Sequence, residues 1–153
     1  MVGAATNSSA HSAPRTVDAR LLTLVAGRVN RAIGTVLAEE GLSVDQWSVL
    51  DYLHDAGPCT MTVLGAATGT SGATLTRVVD RLVSRALIYR NADSGDRRRV
   101  LVHLSERGRR TTGTLRPQIR AAEELTVADL NAAERDELAR LLQRIAPVPD
   151  PGS

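Results

Sequence analysis

The sequence predicts a mainly α-helical fold with one small β-hairpin. Three observations support this. Apolar residues recur at helical spacing along most of the chain, first at Leu22, Val25, Val29, Ile33 and Val36. Two segments between residues 87 and 105 are instead strand-like, and the second of them alternates at the spacing of a strand. Aromatic side chains are scarce, with one Trp, two Tyr and no Phe in 153 residues, so aliphatic residues must form the core.

The first two predicted helices are bounded by residues that favour helix ends. A helix over residues 16–40 ends at Gly41, and Ser43 begins the next, SVDQWSVLDYLHDAG, with Gln46 as its capping-box partner. We expect the second helix to bury its apolar side, which consists of Val44, Trp47, Leu50 and Leu53.

A short helix, a tight turn and a longer helix come next. Thr60 caps MTVLGAAT, Gly69 closes it, and Ser71 caps GATLTRVVDRLVSRAL. The longer helix carries an apolar stripe of helical period, made by Leu75, Val78, Val79, Leu82 and Val83. Its other face is small, polar and basic, with Ala73, Thr74, Thr76, Arg77, Asp80, Arg81 and Ser84. This pattern is typical of a helix-turn-helix.

The strand-like segments LIYRN and RVLVHLS follow, joined by a turn that contains SGDRRR, and they predict a hairpin. A hairpin directly after a helix-turn-helix makes a winged helix. From Glu106 the chain is helical again, and Gly113 and Pro117 predict a kink or a late start of that helix. A break at TVADLN separates it from a last helix, AAERDELARLLQRI.

Charge is concentrated in the middle of the chain. The formal net charge is +2, but residues 77–110 hold ten Arg against four acidic residues, a net +6, and the flanks 15–60 and 111–150 are each −2. All 19 basic residues are arginine, whose planar guanidinium pairs bidentately with phosphate or a guanine edge. The basic middle therefore indicates an anionic partner.

Other classes of protein are disfavoured. A single cysteine excludes an intramolecular disulfide, and we expect no membrane span, no signal peptide and a cytoplasmic location. The histidines His11, His54 and His103 fall in a tail, a helix and a strand, without the spacing of a zinc site. With no phosphate-binding loop and no nucleophile–base pair, we expect neither an enzyme nor a metal or cofactor.

One stretch of the chain runs from LSVDQWSVLDYL through LTRVVDRLVSRALIYR to DSGDRRRVLVHLSERG. It resembles the MarR-type (multiple antibiotic resistance regulator) winged-helix transcriptional regulators. The last part, with Asp-Arg-Arg, an alternating strand and Leu-Ser-x-x-Gly, is the most specific. Ala86 departs from the family, which usually has a glycine there.

The resemblance implies one domain over residues 15–146, and the composition of residues 1–14 and 147–153 predicts that both are disordered tails. Its DNA-binding lobe would span 42–108, and the helices at 15–40 and 109–146 would join two copies into a homodimer on a pseudo-palindromic operator.

Two groups of residues are the predicted DNA contacts. The recognition helix offers Ser71, Ala73, Thr74, Thr76, Arg77 and Arg81, with hydroxyls and backbone N–H groups near its N-terminus for phosphates. We expect Arg77 to contact a guanine. In the wing, the resemblance places Arg98 in the minor groove, where we expect Asp96 to pair with its guanidinium, and Arg97 at a phosphate or the groove wall.

Three further residues are candidates for an effector pocket. The resemblance implies a small aromatic or phenolic effector near Trp47, Asp51 and His54, although each residue taken singly is better explained as core, for Trp47, or as surface, for Asp51 and His54. The expected function is that of a ligand-responsive repressor. The alternatives are a winged-helix protein-interaction module, or an oxidant-sensing regulator acting through Cys59, which is otherwise a small buried filler.

Overall fold

A computed structural model describes residues 17–147. The tail predicted at 1–14 and all but the first residue of that at 147–153 lie outside this range. Within it the elements follow in the order α1 (Ala19–Ala38), α2 (Val44–Ala56), β1 (Cys59–Thr60), α3 (Met61–Thr68), α4 (Gly72–Ser84), β2 (Ile88–Ala92), β3 (Val100–Leu104), α5 (Glu106–Thr126) and α6 (Ala132–Ile145). The prediction of a mainly α-helical winged helix is confirmed.

The residues predicted to bound α1, α2 and α3 act as predicted. Ser43 and Gln46 form the expected capping box of α2, at 3.2 and 3.0 Å. Gly41 has a φ of 61° after α1, and Gly69 a φ of 65° after α3. This left-handed conformation ends a helix without the steric penalty that a Cβ would bring.

The wing belongs to a three-stranded antiparallel sheet of order β1-β3-β2. The predicted hairpin is confirmed, but the sequence did not reveal β1, whose Cys59 lies opposite Val102. Two residues are too few to show an alternation. On the outer face of the hairpin, Tyr89 stacks on His103 across the strands, with ring centroids 4.9 Å apart.

The core lies between the helix-turn-helix, the inner face of the sheet, the second half of α1 and the middle of α5. The predicted stripe of α4 enters it, since Leu75, Val78, Val79 and Leu82 are buried and Val83 is half-buried. Aliphatic side chains fill most of this core, with Trp47 as its one buried aromatic residue in the described range.

The recognition helix α4 ends at a residue with a left-handed backbone. Ala86 has a φ of 54°, the only positive value at a non-glycine residue in the described part of the chain. Its N–H donates to Val83 O at 2.8 Å, and Leu87 N–H donates to Leu82 O at 3.0 Å. These two bonds are the Schellman motif, in which glycine is the usual residue. Alanine at this position therefore carries strain.

The Leu-Ser-x-x-Gly stretch allows the start of α5 to pack against the end of α4. Ser105 caps α5 by accepting from Gly108 N–H at 2.9 Å, and its Oγ lies 2.7 Å from Ala86 O. Its N–H donates to Leu87 O at 3.0 Å. A Cβ on Gly108 would clash with Leu87 O and lie 2.9 Å from Leu104 Cδ1. Serine and glycine are therefore the residues that let α5 start against the end of α4.

Helix α5 is continuous, so the predicted late start is wrong. Pro117 lies inside the helix and lacks the N–H that would donate to Gly113. Leu115 and Ile119 flank it and are each 3% exposed. Their burial on the core holds the helix together on both sides of the proline.

Helices α1 and α6 expose apolar side chains. No residue of α6 is buried, and Leu21, Leu22 and Leu24 of α1 are 46–58% exposed. By length and composition alone, α1 is apolar enough to cross a membrane, a test that helices of soluble proteins also pass. Arg28 and Arg31 would then lie within the hydrocarbon, which is costly. Burial against another protein surface suits this helix better.

Candidate DNA interface

The exposed face of α4 carries the residues predicted for DNA recognition. Ala73, Thr74, Thr76, Arg77 and Arg81 are all exposed, opposite the buried stripe. Because that stripe anchors the helix in the core, the exposed face is presented on a rigid element. Thr76 Oγ1 donates to Gly72 O at 2.9 Å, which leaves its lone pairs available for a donor.

The N-terminus of α4 lacks a side-chain cap. Ser71 has the extended backbone of an N-cap residue but makes no cap hydrogen bond, so its predicted capping role is wrong. Its hydroxyl instead lies 3.1 Å from Thr74 Oγ1. The other five described helices all have a capping side chain that accepts from their first turn. The N–H groups that begin α4 remain free for an anion.

Two aspartate side chains shape the tip of the wing by accepting hydrogen bonds from backbone N–H groups. Asp93 Oδ1 accepts from Gly95 N–H at 2.9 Å, and Asp96 Oδ1 accepts from Arg98 N–H at 3.0 Å. Arg99 closes the loop through its backbone, donating to Asp96 O and accepting from Asp93 N–H, both at 2.9 Å. A seven-residue connection is thereby held in a defined shape.

The expected ion pair between Asp96 and the Arg98 guanidinium is absent from the described residues, so that prediction is wrong. Asp96 orients Arg98 through its backbone N–H instead. An Asp side chain commonly accepts from the backbone N–H two residues later, and this local turn competes with the pairing of the two side chains. Arg97, Arg98 and Arg99 are exposed, and none forms an ion pair with residues 17–147.

One ion pair joins the wing to the recognition helix, and the sequence did not suggest it. Arg90 of β2 donates to Asp80 of α4 at 2.8 Å. Arg90 pairs with Val102 in the sheet register, which puts it on the inner face beside α4. The pair is exposed and contributes at most about 1 kcal/mol. It also neutralises the acidic residue of the recognition face, leaving Arg77 and Arg81 unopposed there.

The predicted effector residues do not form one group. Trp47 is buried, and together with Asp51 it lines a cavity of about 70 Å³. His54 is exposed on a neighbouring cleft of about 490 Å³. Arg116 and Arg120 of α5 line both depressions. The sequence had no signal for these arginines, because they lie more than sixty residues further along the chain.

Arg116 ties α5 to α2 through two carboxylates. Its Nε lies 3.0 Å from Asp51 Oδ1, and its Nη1 donates to Asp55 Oδ1 at 2.6 Å. The hydrogen bonds from Arg116 to the Asp55 carboxylate lower the pKa of Asp55. Burial raises the pKa of Asp51, despite the neighbouring guanidinium. Burial and the charge of Asp51 also raise the pKa of Glu123 across the small cavity.

Cys59 is buried at 2% exposure, and burial raises the pKa of its thiol to about 11. A protonated, inaccessible thiol reacts slowly with oxidants. Among residues 17–147, no group of three or more His, Cys, Asp or Glu side chains is arranged to hold a metal ion.

Comparisons with known proteins agree with this geometry. The MarR family profile matches residues 40–99, from the end of α1 to the tip of the wing. Among solved structures, Bordetella bronchiseptica BpsR is 30% identical, with a TM-score of 0.75, and the alignment covers 85% of this chain and 93% of that one. The chain belongs to the MarR family.

Other relatives of this MarR-family chain are regulators by name. The transcriptional repressor NicR of Pseudomonas putida is 37% identical over 100 residues, which is 65% of this chain and 63% of NicR. The match thus spans less than two thirds of NicR. A mutant MarR from E. coli, solved in complex with operator DNA, is 26% identical with a TM-score of 0.74, over 84% of this chain and 92% of that one.

Proposed function

We propose that this MarR-family chain is a sequence-specific regulator that binds double-stranded DNA as a homodimer on a pseudo-palindromic operator. The observation that carries the proposal is the combination of an uncapped, hydroxyl-rich and basic α4 with an ordered wing whose three arginines form no ion pair with residues 17–147. The resemblance to a MarR protein solved with operator DNA supports the same geometry.

Each contact has a physical role. The free N–H groups and hydroxyls at the start of α4 bind backbone phosphates and set the register. Arg77 and Arg81 reach the major groove, where a bidentate contact to guanine discriminates between bases by about 1–3 kcal/mol. Arg98 enters the minor groove, whose negative potential favours arginine, and Arg97 contacts a phosphate.

The second protomer is proposed from the uncovered apolar surface of α1 and α6. Leu21, Leu22 and Leu24 of α1 and Leu142 and Ile145 of α6 are exposed by 46% or more. Large apolar side chains exposed in this number mark an interface. A two-fold axis through it would direct two α4 helices at half-sites about 34–36 Å apart.

We further propose repression that a small aromatic acid relieves. The clefts at Arg116 and Arg120 lie between α2 and α5, where a bound anion would compete with Asp51 and Asp55 for the guanidinium groups. BpsR, a relative, is described as regulated by 6-hydroxynicotinic acid. Competition at Arg116 would loosen the contact between the DNA-binding lobe and α5, and so shift the lobes.

Duplex binding as a function of salt tests the proposal. Selection of bound genomic fragments with the purified protein supplies the operator. The logarithm of the binding constant should fall linearly with that of the salt concentration, by about 0.9 for each phosphate neutralised. A protein-interaction module with a solvated wing would show no such slope on duplex DNA, and that result would reject DNA recognition.

Matched variants locate the contacts. The double variant Arg97→Ala/Arg98→Ala should reduce the slope, whereas Arg140→Ala, which removes an arginine from α6, should leave it unchanged. Sedimentation equilibrium measures the dimer directly. A monomer at concentrations where the operator is fully bound would contradict the proposed assembly.

A further inference from the structure

The C-terminal end of α4 is joined to α1, which lies more than forty residues earlier in the chain. Arg85 is the residue that follows α4. Its Nη1 donates to Gly41 O at 2.8 Å, and its Nη2 donates to Glu40 O at 2.7 Å. Both carbonyls belong to the turn in which α1 ends. The end of the recognition helix is therefore bonded to the end of a helix that lies outside the DNA-binding lobe.

The geometry suits arginine specifically. The C-terminal end of a helix carries partial negative charge, and Glu40 and Gly41 lie in the turn directly after α1, so a cation there is stabilising. The planar guanidinium donates two bonds at once, which fixes its direction as well as its distance. Both Nη groups of Arg85 donate to the turn that follows α1, and the residue is half-buried.

The same end of α4 also bears on α5. Ser105 bonds to the carbonyl groups of Ala86 and Leu87, and Gly108 packs against Leu87. Residues 85–87, which we name the α4 junction, thus connect the recognition helix to α1 and α5 together. Helix α1 carries much of the proposed dimer surface, so a change in its angle reaches the recognition helix at this junction.

We propose that Arg85 is a positioning residue for operator recognition. By holding the end of α4 to the end of α1, it sets the separation of the two recognition helices in the dimer without touching DNA. This inference rests on the proposed DNA-binding homodimer. It differs from the roles proposed for Arg77, Arg81, Arg97 and Arg98, whose side chains contact the duplex.

The test uses the selected operator duplex and versions of it with the spacer between half-sites changed by one or two base pairs. Wild-type protein should prefer one spacer. Arg85→Ala should bind the preferred duplex about five- to tenfold more weakly and discriminate less between spacers, with an unchanged salt slope. Arg85→Lys keeps the charge but has one donor nitrogen where arginine has two Nη atoms, so it should recover part of the spacer preference.

A direct bond from Arg85 to a phosphate gives a different result. Arg85→Ala would then lower the salt slope by about 0.9 for each phosphate that is no longer neutralised, and leave the spacer preference as in wild type. That outcome overturns the positioning role, as does an Arg85→Ala variant with wild-type affinity and spacer preference. Val83→Ala truncates an apolar side chain on the same helix without affecting Arg85, so it controls for a general loss of stability.

Hydrogen exchange tests the connection without DNA. In Arg85→Ala the amides of Gly41 and Leu42 should exchange faster together with those of Ala86 and Leu87, and in Val83→Ala the amides of Gly41 and Leu42 should not. Faster exchange confined to α4 overturns the connection. If Arg85→Ala does not fold, Arg85→Gln, with one donor, replaces it in both assays. If wild type binds no duplex, the proposed function fails, while the exchange result still decides separately whether the connection exists.

Discussion

Gly108→Ala is expected to destabilise the protein by about 2 kcal/mol. The new Cβ would overlap Leu87 O and lie 3.1 Å from Leu87 C and 2.9 Å from Leu104 Cδ1. Two of these atoms are backbone and cannot rotate away, so α5 must move from the end of α4. Overpacking of this kind costs about 1–3 kcal/mol. The shift also strains the 3.0 Å bond from Ser105 N–H to Leu87 O, worth about 0.5–1.5 kcal/mol.

Part of this destabilisation is offset, because alanine is more favourable than glycine inside a helix by about 0.5–1 kcal/mol. Urea unfolding followed by the helical circular dichroism signal measures the net change, at one protomer concentration because a dimer's midpoint depends on concentration. Gly113→Ala is the matched control on the same helix. A Cβ there meets nothing within 4 Å, so this variant should gain about 0.5–1 kcal/mol. A Gly108→Ala protein at least as stable as wild type would refute the close-packing argument.

Four further outcomes are expected. Ala86→Gly should raise the free energy of unfolding by about 0.5–1 kcal/mol, because it relieves left-handed strain of about 1–2 kcal/mol at the cost of backbone entropy; a lower Tm would count against this. Arg98→Ala should weaken operator binding about tenfold or more with little change in Tm, since the side chain is exposed and forms no ion pair within residues 17–147; an unchanged gel-shift titration rejects the minor-groove role. Because hydrogen bonds from Arg116 lower the pKa of Asp55, the stability they provide is present above the usual carboxylate range and lost as pH falls through the folded-state pKa. Asp55→Asn should therefore lose less stability than wild type between about pH 5 and pH 3, and parallel stability curves would contradict it. Cys59 should react with iodoacetamide only as fast as the protein opens, because the thiol is buried and its pKa is about 11; labelling at the rate of a free thiol would restore the oxidant-sensing alternative.

The helices and their ends were predictable because their causes are local. Ser43 and Gln46 cap α2 from within one turn, and the stripe of α4 is a period that can be read along the chain. The departure at Ala86 was also visible in the sequence. Its physical consequence was not, because the φ of 54° follows from how α4 is made to end.

The wrong predictions share one cause, which is that a local sequence pattern is compatible with more than one structure. Asp96 lies two residues from Arg98, and that spacing permits either a side-chain ion pair or a backbone turn; the loop geometry selects the turn. Pro117 argues against a continuous helix, yet α5 runs through it because Leu115 and Ile119 are buried on the core. The strand β1 exists only because β3 lies beside it.

By itself, the sequence determined the order of the helices, the wing and the concentration of arginine between two acidic flanks, since each depends on residues close together in the chain. The tertiary structure decided the connections over long sequence distances. Arg85 bonds to the end of α1, Arg116 to α2 and Arg90 to α4. The residues next to an arginine in the sequence do not indicate which distant residue its side chain bonds to. Folding alone brings the partner within hydrogen-bond distance, and so separates the arginines that hold the recognition helix in place from those left free for a phosphate.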